Sequence, residues 1–249
     1  MKVLVGSTGL VGSALQEQTS FDRVYSSSNF HEITTGSWPI DHLVLCCLPA
    51  SKWKVNQDPL SDLENIFSII DILSSICANH VTLISTIDVY GRECAFMDEI
   101  VTPELKSPSY GANRLLFEML VKERLWCNSL QIVRLPALYH RLIKKNILFD
   151  LINNYQLEKI NANSCYQWYP LRNLWSDLRR CPAHGIANLF PAPIETEELM
   201  DKFFPSAQKT MGERIEYNHF TMHTSSAYWP PGRNDNFTLI GEFISEARG

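Results

Sequence analysis

The chain has 249 residues, 45% of them apolar and 20% charged, so it can bury a full core and lacks the composition of a disordered chain. Lys plus Arg number 22 against 27 Asp plus Glu, and the formal charge of −5 argues against an electrostatic footprint for nucleic acid or an anionic membrane. No apolar run approaches the roughly 18–20 residues that cross a bilayer, and Gly6 and Gly9 interrupt the N-terminal stretch where a signal peptide would continue, so a cytoplasmic protein with no nucleic-acid or membrane partner is expected.

In chain order, short apolar runs alternate with longer segments of helical period, the pattern of β-α units around a parallel sheet. Lys2 to Val5 reads as a first strand, followed by glycines and a helix over Val11 to Gln18. Phe21 to Tyr25 reads as a second strand and Ser26 to Asn29 as a loop. Leu43 to Leu48 is a third strand, apolar without alternation as a doubly covered strand should be, and Pro49 stops it. Asp58 is a cap and Pro59 a first helical residue, with Leu60, Leu63, Ile66, Ile70, Leu73 and Cys77 at helical spacing. Val81 to Ser85 is a fourth strand. Ser107 and Pro108 precede a helix over Tyr110 to Trp126, and Leu130 to Leu135 is a fifth strand ended by Pro136.

These five β units predict an α/β, Rossmann-like, doubly wound parallel sheet over residues 1–140. Residues 141–249 have too few periodic elements for a second large sheet and are expected to form a small C-terminal substrate cap, packed on the first domain and partly interleaved with it. Cys46, Cys47, Cys77, Cys94, Cys127, Cys165 and Cys181 are odd in number and never form C-x-x-C, so reduced thiols are expected and no metal site is.

The segment Gly6-Ser7-Thr8-Gly9-Leu10-Val11-Gly12 lies between the first strand and its helix. Glycines at this spacing let the chain turn tightly and let the backbone approach a pyrophosphate, with the helix N-terminus facing the phosphates. Gly6, Thr8, Gly9, Leu10, Val11 and Gly12 are therefore candidate dinucleotide-binding residues; a purely structural turn is the alternative.

Two further blocks, Leu83-Ile84-Ser85-Thr86-Ile87-Asp88-Val89-Tyr90-Gly91 and Ser109-Tyr110-Gly111-Ala112-Asn113-Arg114-Leu115, join the glycine loop in a pattern that resembles the extended short-chain dehydrogenase/reductase superfamily, specifically its NAD-dependent epimerase/dehydratase family. In that group a Ser or Thr ends the fourth strand before a V-Y-G-like turn, and a Tyr-x-x-x-Lys helix supplies the proton-transfer pair. The resemblance casts Tyr110 as acid/base, Thr86 as its hydroxyl partner and Arg114 as the cation one helical turn away, where a positive charge would lower the phenol pKa. The family has Lys where this chain has Arg114, and the two are not equivalent.

Asp88 resembles the Glu that removes a proton in sugar-nucleotide dehydratases, but Ile87 replaces the neighbouring acid. Ketone reduction or epimerisation is therefore favoured over dehydration, and a capping carboxylate is the plain alternative for Asp88. Asn56 through Asn65 resembles the family's helix leading to an Asn. Val133-Arg134-Leu135-Pro136 resembles its R-x-P strand end, with His140 where a Gly is usual. The resemblance also places Leu48, Pro49, Ala50, Ser85 and Pro136 along the cofactor.

Ser26, Ser27 and Asn29 follow the second strand with neither acid nor base among them; they can donate to a 2′-phosphate, which favours NADP slightly over NAD. Lys144 and Lys145, with Arg141, would hold a substrate diphosphate or form a solvated face. Trp168 and Arg172 belong to an aromatic block that would stack on a base or sugar, or form the cap's own core. The implied protein is an NAD(P)-dependent oxidoreductase or epimerase of a nucleotide-activated sugar, and the length suits a compact reductase. A non-catalytic NAD(P)-binding or sensing protein and a reductase of a small non-nucleotide carbonyl compound are the alternatives. Leu115, Leu116, Met119 and Leu120 on the Tyr110 helix allow either a homodimer contact or a buried core, and the stretch from Tyr217 to Gly249 carries no interpretable motif.

Overall fold

A computed structural model describes residues 1–36, 38–91, 96–223 and 232–248. Cys94 lies outside them.

The chain opens with strand β1 (Lys2–Val5), helix α1 (Leu10–Gln18) and strand β2 (Arg23–Tyr25). Strand β3 (Ile40–Leu45) leads to α2 (Lys52–Gln57) and α3 (Pro59–Leu73), where Asp58 Oδ1 accepts from the Ser61 backbone N–H at 3.1 Å. Strand β4 (Cys77–Thr86), helix α4 (Tyr110–Arg124) and strand β5 (Trp126–Leu135) follow. The main sheet has the order β2-β1-β3-β4-β5-β9, where β9 is Gly185–Asn188, and every pair is parallel. The chain turns opposite ways from β1, to β2 on one side and to β3 on the other, which opens a crevice at the carboxyl ends of these strands.

Several boundaries differ from the periodic reading. The second strand starts at Arg23, because Phe21 instead packs edge-on against Trp175 at 6.0 Å. The third strand ends at Leu45 and the helix of Tyr110 at Arg124. Cys77 is the first residue of β4 rather than the last of a helical face, since α3 ends at Leu73. The sheet has six strands rather than five: after residue 140 the chain returns through α6 (Leu174–Arg180), which packs on α1, to supply β9 beside β5.

On one sheet face Val3, Leu43 and Val81 are buried with Ile66 and Leu73 of α3 and Val121 of α4. The other buries Leu4, Val44 and Val133 against α1 and α6. Each such side chain contributes about 1.5–3 kcal/mol by leaving water. The remaining segments, β6 (Ala137–Tyr139), α5 (Ile147–Ile152), β7 (Ser164–Tyr166), β8 (Trp168–Pro170), β10 (Ile194–Glu195), α7 (Thr196–Phe203), β11 (Ile215–Glu216) and α8 (Arg233–Arg248), build the cap around a core that includes Leu148, Trp168, Met200 and Ile240. A fourth apolar cluster, with Ile87, Tyr90, Leu115, Phe190 and Tyr217, joins the cap to the turn after β4 and to α4. Among the described residues no helix is long and apolar enough to cross a membrane.

Candidate active site

The glycine loop follows β1 at the crevice. Gly6 has φ +94°, and a Cβ there would lie 2.2 Å from the Cys46 carbonyl oxygen; one on Gly12 would lie 2.1 Å from that of Gly6. Both are glycine because the chain packs on itself. Gly9 differs: its backbone is extended, φ −75° and ψ 166°, and a Cβ would meet nothing closer than the Gly6 oxygen at 3.4 Å. Thr8 and Gly9 are exposed, Leu10 and Val11 are half-buried, and the first turn of α1 carries no acidic residue and no side-chain cap. This leaves a helix N-terminus open to an anion.

The Gly6 and Ser7 amides donate to the Tyr25 carbonyl at 2.8 and 3.0 Å, so the 26–29 loop sits beside the glycine loop. There Asn29 Oδ1 accepts from the Ser26 backbone N–H at 2.8 Å, and Ser27 is exposed. Behind β3, the loop of Leu48, Pro49 and Ala50 is held from two sides. Arg114 donates to the Pro49 carbonyl at 2.7 Å, and Lys145 donates to Ser51 Oγ at 2.7 Å. Burial pushes the Cys47 thiol up to about 12 and raises that of Cys46 as well, so neither is a nucleophile at neutral pH.

A cavity of about 440 Å³ opens past the carboxyl end of β4, its wall including Lys52, Asn56, Asp88, Tyr90 and Ser109. Thr86 caps the 3-10 turn at Ile87–Tyr90, its hydroxyl accepting from the Asp88 N–H at 3.2 Å. The Tyr110 backbone N–H donates to Asn56 Oδ1 at 2.8 Å, and Ser109 caps α4. The fold thus gathers Thr86, Asp88, Tyr110 and Arg114 at the carboxyl end of β4 and the start of α4.

Two residues complete the cluster that sequence reading missed. Lys52 forms an ion pair with Asp88 Oδ1, Tyr217 donates to the same oxygen at 2.7 Å, and Lys52 donates to the Tyr217 hydroxyl at 2.8 Å. Lys52 had a usable signal, since it stands three residues past Pro49 at a strand's carboxyl end, where ligands of such sheets bind. Tyr217 had none, because its place depends on the pairing of β11 with β7.

The structure corrects other expectations. Arg114 lies beside Tyr110, its guanidinium carbon 4.6 Å from the ring centroid, yet burial pushes the phenol up; Arg114 opposes this without overcoming it, and Asp88 and Asp62 reinforce it. Ser85, expected along the cofactor, gives its hydroxyl to Glu118 of α4. Arg134 is fully buried, paired with Glu118 at 2.6 Å and donating to the Tyr90 hydroxyl at 2.7 Å, so the R-x-P arginine braces the sheet. Trp168, 2% exposed, is packed inside the cap core and cannot stack on a ligand. Arg172 faces solvent beside Glu242, 3.4 Å away, and Lys144 is exposed. Lys145 braces the Ala50–Ser51 turn, and Arg141 and His140 both reach Glu17 of α1, at 2.6 and 3.4 Å. His140, at a position where the resemblance implies Gly, thus contacts α1.

His219 and His223 stand four residues apart, a spacing that suits metal ligands, but they diverge. His219 Nδ1 accepts from the Met97 N–H at 3.2 Å, while His223 Nε2 lies 3.0 Å from the Ile186 carbonyl oxygen. Among the described residues no group of His, Cys, Asp and Glu could hold a metal.

No protein-family model matches the chain, and no curated protein matches it. Solved structures do. A UDP-glucose 4-epimerase from Thermotoga maritima, solved with UDP-glucose, superposes with TM-score 0.76 at 12% identity over 100% of both chains. A dTDP-4-dehydrorhamnose reductase from Yersinia enterocolitica gives 0.73 at 13% identity over 98% of both. A dTDP-glucose 4,6-dehydratase variant from Streptomyces venezuelae, solved with NAD, gives 0.77 at 15% identity over 100% of this chain and 98% of that one. The chain has the extended short-chain dehydrogenase/reductase fold. The short-chain dehydrogenase neighbours match end to end, and they include an epimerase, a reductase and a dehydratase.

Proposed function

We propose that the protein is an NAD(P)-dependent oxidoreductase or epimerase acting on a nucleotide-activated sugar, with 4-keto reduction or epimerisation favoured over dehydration. The observation that carries this reading is Gly9: no protein atom requires glycine there, yet it stands exposed at the open N-terminus of α1, past the carboxyl end of β1 in the parallel sheet whose β4 leads to Thr86 and Asp88. A pyrophosphate is the group whose approach a side chain at Gly9 would block.

The residues present fit a dinucleotide. Gly6, Thr8, Gly9, Leu10, Val11 and Gly12 would hold the pyrophosphate, Ser26, Ser27 and Asn29 the adenosine ribose, and Leu48, Pro49, Ala50 and Pro136 the nicotinamide half. The hydroxyl and amide donors of the 26–29 loop, with no acid among them, favour NADP slightly over NAD. When bound, the reduced dinucleotide supplies a hydride to a carbonyl carbon. Tyr110 exchanges the matching proton with the substrate oxygen, Thr86 orients that oxygen, and Asp88, held by Lys52 and Tyr217, contacts the sugar. A single carboxylate, already paired with a cation, lacks the acid/base couple that water elimination requires.

The solved neighbours that carry UDP-glucose or UDP support a nucleotide-sugar as the substrate class. Leu60, Phe67 and Met119 are 64%, 49% and 51% exposed on α3 and α4, and a homodimer through these helices would cover them, whereas Leu115 is core. The test is a panel of keto-sugar nucleotides assayed with NADPH and NADH by loss of reduced-nicotinamide absorbance. Turnover is expected with at least one, inhibited by the matching free nucleoside diphosphate and abolished by Tyr110→Phe without loss of dinucleotide binding. Turnover retained in Tyr110→Phe contradicts the role given to the phenol.

A further inference from the structure

The charge of Arg114 is already committed. Its Nη1 donates to Asp62 Oδ2 at 2.8 Å, its Nη2 to Asp62 Oδ1 at 3.1 Å, and Nη2 also to the Pro49 carbonyl at 2.7 Å. The two side chains are 6% and 3% exposed, so water does not screen them from each other. A bidentate pair of this kind is electrically close to a dipole, whose field falls off faster than that of a free cation. Asp62 is fixed in turn by Asn113 Nδ2 at 2.9 Å.

The phenol of Tyr110 is faced from three elements. Arg114 comes from its own helix and Asp62 from α3; Asp88 comes from the 87–90 turn, and Lys52 of α2 and Tyr217 both bind that carboxylate. Arg114, the cation beside the ring, is matched by Asp62, and Asp88 is itself matched by Lys52. Burial of the ring then disfavours a phenolate.

We infer that Asp62 is a positioning residue that neutralises Arg114, so that the cation does not draw the Tyr110 phenol toward phenolate and the resting site holds a proton to deliver to a carbonyl oxygen rather than taking one from an alcohol. This rests on the oxidoreductase reading above and narrows it to carbonyl reduction. The balance is that of a reduction: the carbonyl carbon accepts a hydride from the reduced dinucleotide, the phenolic O–H bond breaks as an O–H bond forms on the substrate oxygen, and the phenolate regains its proton from water. An epimerase that begins by oxidising an alcohol needs the opposite resting state, with the phenol ionised. The change from the family's lysine to Arg114 therefore pairs with an acid at Asp62 that can grip a forked guanidinium through both oxygens.

The experiment is a spectrophotometric titration of tyrosinate absorbance on the full chain without dinucleotide or substrate, taking wild type minus Tyr110→Phe to isolate one phenol. The Tyr110 phenol is expected to ionise above the ordinary tyrosine value of about 10. Asp62→Asn, which unmasks Arg114, is expected to lower its midpoint by about one unit, a tenfold change in proton affinity. The double variant Asp62→Asn/Arg114→Gln is expected to bring it back up. A wild-type midpoint below about 8, well under the ordinary value, overturns the inference even if Asp62→Asn fails to fold; so does a folded Asp62→Asn protein whose midpoint stays put. Either result leaves the oxidoreductase reading standing, because dinucleotide binding is measured separately.

Discussion

Tyr217 of the cap donates its hydroxyl to Asp88 Oδ1 at 2.7 Å, across 129 positions of sequence. The bond joins the cap to the turn after β4 at the edge of the cavity, and the Tyr217 ring stacks on Tyr166 at 5.5 Å, which fixes its direction. Hydrogen bonds to charged groups contribute about 1.5–3 kcal/mol. Tyr217→Phe is expected to lower kcat/KM on the nucleotide-sugar by roughly 10- to 100-fold while leaving dinucleotide affinity unchanged. Equal losses in both would place Tyr217 in the scaffold instead.

Arg134 and Glu118 form a buried pair, 1% and 4% exposed, that ties β5 to α4 and holds the Tyr90 hydroxyl at 2.7 Å. Removing one partner leaves the other charged and dry. Glu118→Gln is expected to cost about 3–5 kcal/mol, read as a lower urea midpoint with unchanged slope. A loss under 1 kcal/mol would show that water reaches the pair.

His219 is 2% exposed, with Nε2 lacking a hydrogen-bond partner among the described residues, and burial lowers its pKa from 6.5 to about 4 against an opposing pull from Asp88. Because the folded value lies below the unfolded one, the unfolded chain holds more protons between these limits, so stability falls as pH drops from about 6.5 to about 4. The loss from this group is roughly 3 kcal/mol. His42, also lowered to about 4 by burial, adds in the same direction. Urea melts at stepped pH are expected to show this decline, and a flatter one in His219→Leu. An identical slope in that variant would assign the decline to other groups.

What could be read in advance was local. The apolar run from Leu43, the Asp58 cap and the Gly6–Gly12 spacing each depend on neighbours a few residues away; the cap and the glycines lie where expected, while the strand expected over Leu43 to Leu48 is shifted to Ile40–Leu45. Strand β9 is only Gly-Ile-Ala-Asn, too short and too weakly patterned to announce itself, and gains its place from pairing with β5. Trp168 suited a ligand wall and a core equally well, and only the packing of α7 and α8 around it decides. Asp62 lies 52 positions from Arg114, so the acid that pairs with this guanidinium was invisible from the Tyr-x-x-x-Arg spacing alone.

The central claim is that the Gly6–Gly12 loop binds a dinucleotide, and Gly9 tests it most directly. A Cβ at Gly9 fits, and Asp is a favoured residue at a helix N-cap, so Gly9→Asp should fold while setting a carboxylate where the pyrophosphate would sit. Calorimetric titration of the cofactor-stripped protein with NADPH and NADH is predicted to show binding in the wild type, slightly tighter for NADPH, and none in a folded Gly9→Asp. Wild-type protein that is folded and binds neither, or Gly9→Asp that binds as well as wild type, would contradict the account.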